Sequence, residues 1–197
     1  MCKLTVSPKD LQVLLLAVLG SFLVAASTHL ATRASNDPDV DPVSSLSCEQ
    51  LPEPQDVHGW FAQYDAIRRH ARMSLKEKLQ STNHLLNLVF NPMALFNKEA
   101  QPLLKRMIKK YSLAIEQLQR LKSFRETAEL QKGYIHYFED ARNLFMDICE
   151  AQDKSPEERR KILPELMNRK RQLEALDQRN KQLDAQLRRQ YDIPPLK

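Results

Sequence analysis

The chain has 197 residues, three glycines, three cysteines and a net charge of +5. A chain of this length fits one domain, or one domain with an extension, and so few glycines argue against a turn-rich all-β fold, because tight turns draw on glycine for positive φ. The mean hydropathy is -0.52 in spite of an apolar N-terminal stretch, which suits long helices with narrow apolar stripes better than a thick core.

Residues 11–26 form an apolar run interrupted only by Gln12, Gly20 and Ser21. Lys3 and Lys9 precede it, and Val24, Ala25 and Ala26 close it with small side chains. These are the parts of a secretory signal peptide cleaved before Ser27. Extended through Leu30 and Ala31, the run reaches 21 residues, and the second reading is an uncleaved transmembrane helix anchoring the chain. The absence of a polar face argues against a buried core helix. The basic flank stays in the cytoplasm, so both readings place the body beyond the membrane: secreted, luminal or periplasmic, or the exposed part of a single-pass membrane protein. Residues 1–34 are assigned to this signal or anchor.

Residues 35–55 carry five acids, no bases and four prolines, Pro38, Pro42, Pro52 and Pro54. Proline blocks helix and central strand, and like charge keeps the segment extended, so it is predicted to be a disordered linker. Cleavage would remove Cys2 and leave Cys48 and Cys149. In an oxidising compartment that even pair fits a disulfide; two unrelated thiols fit the spacing as well.

A helix is predicted over residues 57–90. Val57, Trp60, Phe61, Tyr64, Ile67, Ala71, Leu75, Leu79, Leu86 and Val89 recur every three or four positions. Asp56 is a cap, and Asn91–Pro92 is a stop. A short connection over 91–97 leads to a second helix from about Lys98. Its stripe of Leu104, Ile108, Tyr111, Ile115, Leu118 and Leu121 weakens over 124–130. Gly133 is a possible break, and the stripe resumes through Tyr134, Phe138, Phe145 and Ile148. This segment is one long helix or two stacked ones. With the first it folds back as an antiparallel hairpin over 56–154. Lys105, Arg106, Lys109 and Lys110 make a basic patch on it, with anionic lipid or acidic protein as the fitting partners and nucleic acid the least fitting for an exported chain. Such a patch equally suits a solvated helix face.

Ser155-Pro156-Glu157-Glu158 places serine as cap, proline at the first helical position and Glu158 as the return acceptor, which starts a helix over 155–191. Pro164 is expected to kink or restart it. Beyond it, Leu166, Leu173, Asn180 and Leu187 share one heptad position, and Leu176 and Leu183 fall on the other. That spacing suits a coiled coil in which Asn180 fixes register. Packing onto the preceding helices uses the same stripe. Residues 192–197, with Pro194-Pro195, are a tail.

No phosphate-binding loop, dinucleotide fingerprint, nucleophile elbow or zinc-spaced cysteine pair occurs. His136, Glu139 and Asp140 lie at helical neighbour spacing, which gives one turn of potential ligands and no complete shell. No catalytic, cofactor-binding or metal-binding residues are assigned. The expectation is an all-α protein: a helical hairpin with a coiled-coil-like C-terminal helix, behind a signal or anchor and a linker. It is expected to be non-enzymatic and to act in protein–protein interaction or self-association, through apolar stripes and a basic face. A holdase-like chaperone of the cell envelope or secretory pathway is the alternative, and an all-helical ligand carrier or enzyme the third.

Overall fold

Asp56 opens the first helix by accepting a hydrogen bond from Gly59 N at 2.7 Å. The computed structural model describes residues 53–74, 77 and 92–196, all within one compact unit, Glu53–Lys197. The apolar run of residues 11–26, the linker over 35–52 and Cys48 lie outside the described residues. Among the described residues the protein is all-helical, and no helix is long and apolar enough to cross a membrane.

Four α-helices are described: α1 (Val57–Ala71), α2 (Gln101–Arg120), α3 (Ala128–Ala151) and α4 (Pro156–Gln190). Two 3-10 turns, Pro92–Phe96 and Lys98–Ala100, lead into α2. Helix α1 is half the length expected of the first helix. It ends at Ala71, and Arg72 is extended with ψ 153. Ser74 N then donates to Glu77 Oε2 at 2.7 Å, and Glu77 N donates to Ser74 Oγ at 3.2 Å. This reciprocal cap begins a helical turn at Glu77, and residues 75–76 and 78–91, the rest of the expected first helix, lie outside the described residues.

The expected second helix is two helices, and these two form the tight antiparallel hairpin. Helix α2 stops at Leu121. Thr127 Oγ1 then accepts from Phe124 N at 3.1 Å and holds the connecting turn. Gln131 Nε2 reaches back to the carbonyls of Leu118 and Leu121, at 2.6 and 2.8 Å, and satisfies the open end of α2. Gly133, the expected break, lies inside α3. Its carbonyl accepts from Asn180 Nδ2 at 2.8 Å, and the missing side chain makes room for that contact. Helix α4 starts on the expected capping box at Ser155. It runs through Pro164 without restarting. The ring sits on the exposed face, where the carbonyl it frees can bond to water.

Helix α3 packs against both α2 and α4, and α1 lies on α2. The pairs Tyr111–Phe138 and Gln131–Leu118 set α2 against α3 antiparallel. Asn180–Gly133 and Arg169–Asp147 do the same for α4 against α3. The main core joins Trp60, Phe61, Tyr64, Met107, Tyr111, Leu118, Leu130, Tyr134 and Leu187. Trp60 stacks on Tyr64 with centroids 4.7 Å apart, and Tyr64 meets Tyr134 edge-on at 5.6 Å. Burying one such ring contributes about 1.5–3 kcal/mol, so the aromatic seam holds α1 to α3. A second cluster at the other end gathers Phe96, Leu144, Ile148, Ala151 and Leu166.

Candidate functional site

The last turn of α1 carries Arg68, Arg69 and His70, with Arg72 as the cap. The N-terminal half of α2 carries Lys105, Arg106, Lys109 and Lys110. The break at Arg72 brings these two groups together. Lys110 Nζ donates to the Arg72 carbonyl at 3.2 Å and to Glu77 Oε2 at 2.6 Å, and Arg106 Nε lies 3.6 Å from Glu77 Oε1. Arg72 and Glu77 therefore lie beside Arg106 and Lys110. Arg69, Arg72, Lys105, Arg106 and Lys109 are exposed at the end of α1 and the start of α2, and Glu77 is buried against Lys110 and Arg106. The Glu77 carboxyl loses solvation, but hydrogen bonds from Lys110 and Ser74 outweigh that and hold it below the usual range. Burial and then the neighbouring Arg68 charge push Arg72 down. That second effect marks crowding of like charge. Neither Lys105 nor Lys109 has an ion-pair partner among the described residues.

Behind this face a buried ionic seam ties α1 to the end of α4. Arg68 Nη1 donates to Asp184 Oδ2 at 2.5 Å and to Tyr64 Oη at 3.0 Å. Its guanidinium carbon lies 4.2 Å from the Tyr134 ring centroid. Burial opposes the Arg68 charge, and Tyr64, Tyr134 and Asp184 overcome it, so its pKa is raised. Arg188 pairs with Asp65 and Asp184, and donates to the Pro194 carbonyl at 2.6 Å. The tail thereby folds back. Ile193 N donates to the Arg188 carbonyl at 2.8 Å, Asp192 takes φ 52, and Tyr191 and Ile193 pack on the main core. Every member of the seam has a partner, and an arginine charge held this way is suited to fixing helices rather than to exchanging protons.

The expected association stripe lies inside the bundle. Leu166, Asn180 and Leu187 are buried, and Leu173, Leu176 and Leu183 pack against the main core as half-buried side chains. Trp60 is fully buried with its Nε1 donating to Gln131 Oε1 at 3.3 Å. His136 Nε2 lies 3.3 Å from Asp140 Oδ2 on an exposed turn, and no group of three potential ligands stands together among the described residues. Cys149 is half-buried on α3, and burial pushes its thiol pKa up.

Sequence reading found the α2 half of the basic face and missed its α1 half. A signal was present: Ser74-Leu75-Lys76-Glu77 has the serine and glutamate of a capping box, without the proline that follows Ser155. The Asp65–Arg188 and Arg68–Asp184 pairs left no such mark. No family model, no curated protein and no solved structure matches this chain.

Proposed function

We propose that this chain is a non-enzymatic, exported or membrane-anchored helical interaction protein that engages an anionic partner through the α1–α2 basic face. The observation that carries this reading is the docking of the basic end of α1 against the basic start of α2, where Lys110 reaches the Arg72 carbonyl and Glu77 while Arg69, Arg72, Lys105, Arg106 and Lys109 stay exposed. A charged surface of one sign raises the local concentration of an opposite partner and steers its approach. Among the described residues the heptad stripe of α4 packs within the bundle, which favours recognition by charge over an exposed heptad seam.

Export rests on residues 11–26 and their basic flank. Amine footprinting tests the reading. Lys105 and Lys109 are expected to react with a small acylating reagent in the purified protein and to be shielded in cells, with exposed Lys132 on α3 as the internal reference. Equal labelling of Lys105 and Lys109 in both settings would overturn it.

A further inference from the structure

We infer that residues 191–196 are a latch on α1: the segment after α4 folds back onto Arg188, and its docking sets how readily α1 leaves the bundle. The inference stands on other residues than the basic face, and neither depends on the other.

The turn itself is built to a recognisable plan. Helix α4 ends at Tyr191, whose N–H still donates to the Leu187 carbonyl at 3.0 Å. Asp192 then takes φ 52, and Ile193 N donates to the Arg188 carbonyl at 2.8 Å. A left-handed residue followed by this long backward bond is a Schellman ending, which reverses the chain. Glycine usually holds the left-handed position, because a Cβ crowds it. Here an aspartate holds it, so the closed turn depends on what the segment touches. Tyr191 and Ile193 pack half-buried on the main core, and the Pro194 carbonyl accepts from Arg188 Nη1 at 2.6 Å.

Arg188 connects that docking to α1. It is 5% exposed, and its guanidinium meets three elements. Nε donates to Asp184 Oδ1, one turn back on α4, at 2.5 Å. Nη1 and Nη2 both donate to Asp65 on α1. The guanidinium carbon also lies 4.6 Å from the ring centroid of Phe61, a second residue of α1. Nη1 carries two hydrogens, one for Asp65 and one for Pro194. Opening the segment hands the second to water and uncovers the Asp65–Arg188 pair, and a charged hydrogen bond weakens as water enters. Helix α1 has the most to lose. With 15 residues it is the shortest of the four described helices, and a helix of that length owes its stability to packing.

Hydrogen–deuterium exchange of the full chain, read by peptide, tests the latch. Asp192→Gly suits the left-handed position and is expected to slow exchange over residues 57–71 by roughly threefold. Ile193→Ser removes the apolar contact without adding charge and is expected to speed it by about fivefold or more. Shifts of opposite sign, confined to 57–71 while α2 and α3 exchange as before, are the expected result. Exchange over 57–71 that either variant leaves unchanged, or a shift shared equally by α2 and α3, overturns the inference. Should Ile193→Ser fail to fold, Asp192→Gly alone decides.

Discussion

Gly133→Ala sets two known effects against each other at one site. In a free helix the change stabilises by about 1 kcal/mol, because glycine has the greater backbone entropy to lose. Here the added Cβ would sit 3.1 Å from Asn180 Cγ and closer still to Asn180 Oδ1. Asn180 is 3% exposed and donates to the Gly133 carbonyl, so it cannot swing away without giving up that bond inside the α3–α4 interface. Overpacking costs about 1–3 kcal/mol, and the lost hydrogen bond adds about 1 kcal/mol. The close contact wins, and the net effect is destabilisation by about 1–3 kcal/mol, measured as a lower midpoint in equilibrium urea unfolding at unchanged slope. Combining Gly133→Ala with Asn180→Ala removes the clash. The double-mutant cycle is expected to show coupling of about 1 kcal/mol or more between the two positions. If Gly133→Ala alone raises stability, as at an exposed helical site, the close α3–α4 packing argued here is wrong.

The ionic seam makes a larger demand. Arg188→Ala strands Asp65 and leaves Asp184 only Arg68 and Tyr64, and should lower stability by about 3 kcal/mol or more in the same unfolding assay, whereas a loss below about 1 kcal/mol would place Asp65 in contact with water. Glu77 has a folded pKa below its reference of 4.5. Its contribution is full above that reference and is lost as pH falls through the folded value. Glu77→Gln should therefore weaken the protein near neutrality and flatten the acid limb of its stability curve, and an unchanged acid limb in a pH series of thermal melts would count against the Ser74–Glu77–Lys110 arrangement. Burial lowers the Lys170 pKa from 10.5 to about 8, against the attraction of Glu174. That penalty is full below about pH 8 and is relieved as pH rises toward 10.5. Lys170→Met should raise Tm at neutral pH by an amount that shrinks in alkali, and an equal shift at both pH values would point to packing rather than charge.

How much of the molecule was legible depended on whether a signal was local. Ser155, Pro156 and Glu158 announced α4 within four residues. The stripe on α1, from Trp60 through Ile67, was legible because helical period and burial coincide there. The turn at 121–127 contains neither glycine nor proline, and it is held by Thr127 reaching back to Phe124. Nothing in the composition of that stretch separates it from helix. Gly133 misled for the opposite reason: it looked like a break, but its missing side chain serves a helix crossing. Asn180 was recognised as a polar residue among leucines. Its partner proved to be a carbonyl of the same chain. Asp65, Arg68, Asp184 and Arg188 resemble the solvated charges around them, and only the fold, by closing more than 110 residues of chain, makes them buried pairs. The basic face was half visible because Lys105, Arg106, Lys109 and Lys110 are contiguous, whereas its α1 half depends on the turn at Arg72.

The central claim, that an anionic partner engages the basic end of α1 and the basic start of α2, meets its most direct test in the reactivity of two amines. Lys105 and Lys109 should acylate readily in the purified protein and be shielded together in cells, while Lys132 reacts alike in both. Unshielded Lys105 and Lys109 in cells would contradict it.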